Sequence, residues 1–358
     1  SVTLYPTDGY GNPDLLRQLI QIEKPDAIFI ITDPRYWTWL FQMENEIRKH
    51  IPIVYLNIWD DYPAPLYNKE FYESCELGSK EFTEFKNQMF QGKEIDFVVL
   101  FNSRNIRRKQ IPDTILAFRH FVDSLPKEKA KKCLLLMHTQ PVEEHGTDLN
   151  AVIELFCSED HINVHFTGGM LDHTRMNWLY NLADTCILLT SNEGWGLCLT
   201  EALLSGTPII ANVTGGMQDQ MRFVKDGVWM DFNQDFPSNH RGTYREHGEW
   251  AFPVYPTSRS IQGSVPTPYI WDDRCEAEDA AWMIEEVYFL GNTERKRRGE
   301  AGRKWAAGPE AGFTSKIMGE RIIRHIDTLF ETWKPREKYE LILAGEVAKK
   351  KLVHKLVY

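Results

Sequence analysis

Residues Leu188–Met221 read LLTSNEGWGLCLTEALLSGTPIIANVTGGMQDQM. An apolar run ends at Thr190, a polar turn Ser191–Asn192–Glu193 leads into Gly194–Trp195–Gly196, and a helical pattern starts at Leu197. A second short apolar run, Pro208–Ala211, is followed by Gly215–Gly216. Apolar runs that are continuous rather than alternating mark parallel strands covered on both faces. The glycines let the backbone approach a ligand closely. The free N–H groups at the helix start, at the positive end of its dipole, suit a phosphate or another anion. Open parallel sheets bind ligands beyond the carboxyl ends of their strands, which is where this turn falls.

Outward from this stretch the alternation continues. Strands are expected at Asp26–Thr32, Pro52–Asn57, Asp96–Asn102, Cys133–His138, Val164–Thr167, Thr185–Thr190 and Pro208–Ala211. Helices are expected at Asp14–Ile22, Trp37–Lys49, Thr114–Leu125, Leu149–Phe156, Thr174–Leu182, Leu197–Leu204 and Met217–Val224. This alternation predicts an α/β fold of doubly wound parallel sheets. The polar stretch Phe82–Gly92 interrupts the pattern, which predicts a domain boundary near residue 94. The first unit, 1–94, has two clear strands, too few for a complete open sheet, so it reads as short or incomplete. The second unit is 95–314, with terminal helices in 315–358. Asp226–Asp273 breaks into Gly, Pro, Trp and charged residues and reads as a long loop, either functional or packed by its own aromatics. Helices Glu276–Leu290, Thr293–Ala306 and Ser315–Trp333 follow.

Composition narrows the class. Hydrophobic residues are 42% of 358, with 19 Phe, 14 Tyr and 11 Trp, enough to exclude a disordered chain. No apolar run approaches the length of a membrane-spanning helix. The start, SVTLYPTDGYGN, is not a secretory signal. It has no initiator Met, so a trimmed chain is expected, and the join at Gly78–Glu81 is one place where material could be absent. The net charge of −10 argues against a nucleic-acid partner. Six cysteines with no CxxC pair predict free, buried thiols and a cytoplasmic setting. The basic and aliphatic last 21 residues read as a solvated terminal helix, with peripheral membrane contact as the alternative.

Glu193 and Glu201, with seven residues between them, frame the glycine turn, and both carboxylates can reach one ligand there. Carboxylates accept hydrogen bonds from vicinal diols, the groups that sugars and riboses offer. The dipole alone would also favour a glutamate at position 193. The chain has no two Asp residues two apart, no H-E-x-x-H motif, no phosphate-loop motif and no G-x-S-x-G elbow. No metal and no resident cofactor are expected.

The string S-N-E-G-W-G-L-C-L-T-E-A-L-L-S-G-T-P-I-I-A-N-V-T-G-G resembles glycosyltransferase family 4, retaining enzymes built from two Rossmann-like domains (GT-B). Trp195 stands where the family has Phe. The resemblance covers about residues 95–225 and extends loosely to 330. It implies that the terminal helices pack back toward the N-terminal domain. It implies that Arg104 and Lys109, five residues apart after the strand DFVVLFN, bind the donor diphosphate, leaving Arg107 and Arg108 ambiguous. It assigns the turn with Gly168, Gly169 and Met170 to the nucleobase pocket. Gly215 and Gly216 fall near the donor sugar or ribose, with Asp219 as a displaced acidic residue. The donor site would then comprise Glu201, Gly194, Trp195, Gly196, Leu197, Gly168, Met170, Gly215 and Gly216, and the reaction would fall to Arg104, Lys109 and Glu193. The family's first glycine-rich loop and cleft His are absent, and Asp60 is the nearest acceptor-side candidate, although a turn-capping Asp reads the same.

The resemblance implies a retaining, metal-independent transfer of sugar from a nucleotide-diphosphate donor to a carbohydrate, lipid-linked or other acceptor. Two rivals stay open at this stage: a transferase acting on modified DNA, and a non-catalytic protein on the same scaffold.

Overall fold

A computed structural model describes residues 2–32, 36–57, 72–73, 75, 78–230, 239–240, 242–264 and 267–336. The chain groups into two units: 1–58 with 323–358, and 59–322.

In the first unit, helix α1 (Pro13–Glu23) starts with proline at a position that needs no N–H, and the Asn12 side chain accepts from the amides of Asp14 and Leu15. Strands β1 (Ile28–Thr32) and β2 (Ile53–Asn57) pair in parallel, Ile28 opposite Ile53. The expected helix Trp37–Lys49 is two short ones, α2 (Thr38–Gln42) and α3 (Glu44–Ile47), joined at Met43. Ile30, Leu40, Met43, Ile47 and Ile51 form a small core. Arg336 belongs to this unit, donating its amide to the Arg48 carbonyl at 2.9 Å and its guanidinium to Glu44.

The second unit opens with α4 (Lys80–Phe90). The polar pause expected at Phe82–Gly92 is this helix: Ser79 caps it, and Phe82, Phe85, Met89 and Phe90 are its buried stripe. Phe82 and Phe85 meet the Trp178 ring edge-on and tilted. Strand β3 (Phe97–Asn102), α5 (Ile111–Asp123), α6 (Lys127–Ala130), β4 (Cys133–His138), α7 (Leu149–Phe156), β5 (Asn163–Phe166), α8 (His173–Leu182), β6 (Thr185–Leu188), α9 (Leu197–Leu204), β7 (Ile209–Asn212) and α10 (Met217–Met221) follow. The boundary expected near residue 94 lies inside this unit, between α4 and β3.

The segment read as a loop, 226–273, holds strands. After the small pair β8 (Val224–Lys225) and β9 (Val228–Trp229) comes β10 (Ala251–Val254), fully buried, then a hairpin of β11 (Ser258–Ser264) and β12 (Thr267–Arg274). Pro253 within β10 masks its strand character, but β10 sits at the sheet edge, where a missing donor is tolerated. Helices α11 (Ala277–Phe289), α12 (Gly291–Ala307) and α13 (Ser315–Thr332) complete the order.

Six parallel strands make one sheet in the order β10-β7-β6-β3-β4-β5. This is the doubly wound Rossmann order, and the winding reverses between β3 and β6. Phe97–Phe101, Cys133–Met137, Cys186–Leu188 and Ile209–Ala211 are buried, as strands covered on both faces require. All six cysteines are free thiols; five are buried and Cys75 is half-buried. Burial pushes Cys133 up to about 12 and Cys157 to about 11, so neither is a nucleophile at neutral pH.

Helix α12 lies close to the turn after α9, where a Cβ on Gly299 would fall 1.8 Å from the Gly206 carbonyl. Gly319 in α13 has open space around it. Gly299→Ala should therefore destabilise by at least about 1–3 kcal/mol, the cost of overpacking. Gly319→Ala should be neutral or stabilising by up to about 1 kcal/mol through helix propensity. Denaturant unfolding of both variants checks the contrast, and equal effects would mean that α12 is not in this contact.

Candidate active site

The reversal point places two loops side by side beyond the carboxyl edge: 103–110 after β3, and 189–196 after β6. One backbone carbonyl holds them together. The Arg108 oxygen accepts from the Ser191 amide at 2.8 Å, the Thr190 hydroxyl at 3.0 Å and the Ser191 hydroxyl at 3.3 Å. The Arg108 guanidinium returns the contact, donating to the Asn192 carbonyl at 2.6 Å. Residues Arg107–Lys109 form a single 3-10 turn, and Gln110 then adopts φ 50° to start α5. That left-handed conformation costs a non-glycine residue about 1–2 kcal/mol, and it leaves the Lys109 side chain turned inward.

Glu193 receives both cations. Its Oε2 accepts from Lys109 Nζ and, at 3.0 Å, from Arg108 Nη1. The Lys109 and Glu193 side chains are only 10% and 11% exposed. Burial by itself would raise the Glu193 carboxyl, but the ammonium and guanidinium outweigh it and hold it below the usual carboxylate range. Glu193 is thus a fixed anion between two fixed cations.

Arg104 is separate from this cluster. Its side chain is 64% exposed and forks onto Oε1 of Glu143 in the loop after β4. The structure therefore does not bring Arg104 and Lys109 to one partner, and Arg108 takes the place beside Lys109. Among the described residues, the buried Oε2 of Glu143, Oδ1 of Asn192 and Oγ1 of Thr139 have no hydrogen-bond partner. Buried polar atoms left unpaired at the carboxyl edge mark a place where a polar ligand belongs.

Glu201 lies in different surroundings. Its Oε2 accepts from the Tyr180 hydroxyl at 2.5 Å, and that hydroxyl accepts from Asn102 Nδ2 at 2.6 Å. Burial raises the Glu201 carboxyl, with hydrogen bonds from Tyr180 and Tyr72 acting the other way. Tyr72 packs edge-on against the Tyr180 ring. Its short segment is held on α8: Asn177 accepts the Glu73 amide and Asn181 the Cys75 amide, at 3.1 and 3.0 Å. Asn177 and Asn181, one helical turn apart, were the only sequence signal for this dock.

Gly196 opens α9 at φ 82°, and no side chain caps that helix start. Leu197 is exposed at its tip and Gly194 is half-buried. Trp195 turns inward: its indole meets Phe313 edge-on and donates to the Thr200 hydroxyl at 2.8 Å. Thr200 donates in turn to Gln220, whose amide holds the Trp195 and Gly196 carbonyls. The structure thus gives Trp195 a place in the core instead of on a ligand. Gly215 and Gly216 support the loop from behind. A Cβ there would fall 2.0 Å from the Glu193 carbonyl and 2.1 Å from the Gly194 carbonyl. Gly168 has open space and Met170 is 99% exposed, both in the turn after β5. Next to that turn, His138 shares a 2.7 Å hydrogen bond with Thr167. Asp60 lies outside the described residues, as do the last 21 residues.

The β11–β12 hairpin braces the same loop and was hidden in the segment read as irregular. The Asp273 amide donates to the Ser191 carbonyl at 2.8 Å, and the Thr214 hydroxyl donates to the Asp273 carboxylate at 2.8 Å. Asn212 at the end of β7 ties the Thr190 and Asp273 carbonyls together. Burial raises the Asp272 carboxyl, against a hydrogen bond from Ser191.

The chain matches known proteins in sequence and in fold. Residues 83–236 match the family model described as glycosyl transferases group 1. An uncharacterized glycosyltransferase of Methanocaldococcus jannaschii is 24% identical over 229 residues, 56% of this chain and 58% of that protein. Among solved structures, a glycosyltransferase from Rickettsia africae superposes with TM-score 0.52 at 15% identity, over 90% of this chain and 69% of that one. Sucrose-phosphate synthase from Thermosynechococcus elongatus gives 0.50 at 17% identity, over 88% and 62%. Anabaena HepE in complex with UDP and glucose gives 0.50 at 14% identity, over 88% and 67%. The chain thus spans about three fifths of the length of the curated relative, and the structural likeness speaks for the fold. The family match, over residues 83–236, takes in both glutamates and the cations around Glu193.

Proposed function

We propose that the chain is a glycosyltransferase that takes a sugar from a nucleotide-diphosphate donor. The observation that carries this reading is the convergence at the sheet's reversal point: Lys109, Arg108, Glu193 and the uncapped start of α9. Positive groups fixed before the reaction are what a departing diphosphate needs, because its charge grows as the glycosidic bond breaks. Lys109 and Arg108 are held in place by a carboxylate and by the backbone, so they need no reorganisation when that charge develops. Arg104, exposed at the loop tip and paired with Glu143, is assigned to the outer phosphate in this reading.

In the same reading the two glutamates divide the ligand. Glu193 faces the sugar hydroxyls and Glu201 the ribose diol, with Tyr180 and Tyr72 holding Glu201 in orientation. The unpaired oxygens of Asn192 and Glu143 supply further acceptors for hydroxyl groups. The stereochemical course is retention: the acceptor attacks from the face that the diphosphate leaves, and a phosphate oxygen takes the acceptor proton. No protein nucleophile and no divalent ion are required, since side-chain cations and the helix start serve the diphosphate.

Three outcomes test the reading. Lys109→Ala should lower kcat by about 10²-fold or more with a smaller change in donor KM, as for loss of one preorganised charge-stabilising group. Turnover within about twofold of wild type, with the fold intact by circular dichroism, would remove Lys109 from the reaction. Glu201→Ala should weaken nucleotide-sugar binding by about 1–3 kcal/mol, since a diol would lose its acceptor in a buried site. Isothermal titration of UDP, GDP, ADP and CDP sugars measures that loss. EDTA should leave transfer intact, whereas a complete loss restored by manganese or magnesium contradicts the metal-independent course.

A further inference from the structure

The β11–β12 hairpin stands outside the Rossmann repeat, between the last sheet strand and α11. Its root is fastened to the loop that carries Glu193: the Asp273 amide donates to the Ser191 carbonyl, and Asn192 Nδ2 reaches the Trp271 carbonyl at 3.5 Å. A second fastening ties Arg274 to Asp113 on α5 through a two-pronged pair at 3.0 and 2.7 Å. A hairpin pinned twice at its base is a rigid element, suited to carrying a binding face.

That face is readable from the register. Ile261 lies opposite Trp271 and Arg259 opposite Asp273, so these four share one side, and Tyr269 joins them two residues from Trp271. Ile261, Tyr269 and Trp271 are 59, 65 and 41% exposed. The Arg259 guanidinium lies 4.5 Å over the Trp271 ring and 3.3 Å from the Asp273 carboxylate, which fixes the indole's orientation. Rising from the Glu193 loop, the face therefore runs from a charged pair to an indole, an isoleucine and a phenol ring.

We propose that this face is a saccharide platform, which seats the acceptor sugar beside the donor site. A sugar ring has an apolar C–H face and a rim of hydroxyls. An exposed indole or phenol covers the first, and the adjacent Arg259 guanidinium, held from behind by the buried Asp273 carboxylate, donates to the second. Size argues the same way. Three apolar side chains match one or two sugar rings, whereas a stable protein interface needs about 20–30 residues a side. The charged pair beside the indole also argues against a wedge in the apolar part of a membrane. Only the word acceptor rests on the transferase reading; the platform itself rests on the hairpin.

An array of defined oligosaccharides, probed with the full chain in the absence of nucleotide, tests the platform. Wild type should bind a subset of the glycans. Trp271→Ala and Tyr269→Ala should each weaken that binding by tenfold or more, and Trp271→Phe should keep most of it. Affinity for the nucleotide sugar should change less than twofold in all three. Glycan binding unchanged in Trp271→Ala and in the more exposed Tyr269→Ala overturns the platform. So does a wild-type chain that binds a nucleotide sugar but no glycan. Loss of donor affinity in Tyr269→Ala would show that the hairpin acts through the Glu193 loop, which also overturns it. Binding of wild type to anionic lipid vesicles that Trp271→Ala abolishes, with no glycan bound, assigns the face to a membrane surface instead. Failure of every nucleotide sugar to bind wild type, with glycan binding intact, would instead sink the transferase reading and leave the platform standing.

Discussion

A buried carboxylate between a buried ammonium and a half-buried guanidinium is the interaction on which the rest of this unit turns. Glu193 could not stay charged at its depth without Lys109 and Arg108, and neither cation could stay there without it. The cost of removing these charges from water is offset by geometry that the sheet supplies. The reversal of winding between β3 and β6 is the one place in such a sheet where two adjacent strand ends send their loops apart, leaving a crevice. The Arg108 carbonyl closes that crevice at its floor, with three donors from Thr190 and Ser191. The ion cluster is therefore a consequence of the strand order, fixed by backbone contacts as well as by charge.

The second carboxylate shows how environment separates like residues. Glu201 has no cation among its hydrogen-bond partners; it faces two tyrosine hydroxyls, and burial shifts it upward where Glu193 is shifted downward. Two glutamates eight positions apart on one strand–loop–helix unit thus hold their protons differently. The cations beside Glu193 favour its charged form, and burial disfavours that form in Glu201. Tyr180 links Glu201 to Asn102 at the end of β3, and Glu193 is held by the turn that follows that strand.

Most of the sheet was legible because continuous apolar runs such as Phe97–Phe101 and Cys133–Met137 carry a strong signal. What escaped did so for identifiable reasons. The α4 helix looks polar because its apolar residues lie on one stripe, and only the Ser79 cap and the spacing of Phe82, Phe85 and Met89 mark it. Strand β10 contains a proline, and the hairpin strands are polar on one side and short of aliphatics on the other. In the candidate site, Glu193 and Glu201 stood out by spacing and residue type, and Lys109 through the resemblance. The pairing of Lys109 with Arg108 in place of Arg104 was not legible, because the 3-10 turn at Arg107–Lys109 decides which side chain points inward. Trp195 was legible as a motif position, but a motif cannot say that its indole finds Thr200 and Phe313 behind the loop.

The glycine turn after β7 shapes the loop that carries Glu193. Gly215 and Gly216 bring their backbone against the carbonyls of Glu193 and Gly194, at a separation that no side chain permits. The Gly216 amide donates to the Glu193 carbonyl at 3.2 Å. The loop is then fixed on four sides: by β3's loop through Arg108, by the glycine turn, by Gln220 under the start of α9, and by Asp273 of the hairpin. Each of these four contacts is made to backbone atoms of the loop. A site built in this way binds with little ordering cost, because the atoms that would have to be immobilised are already held by the fold.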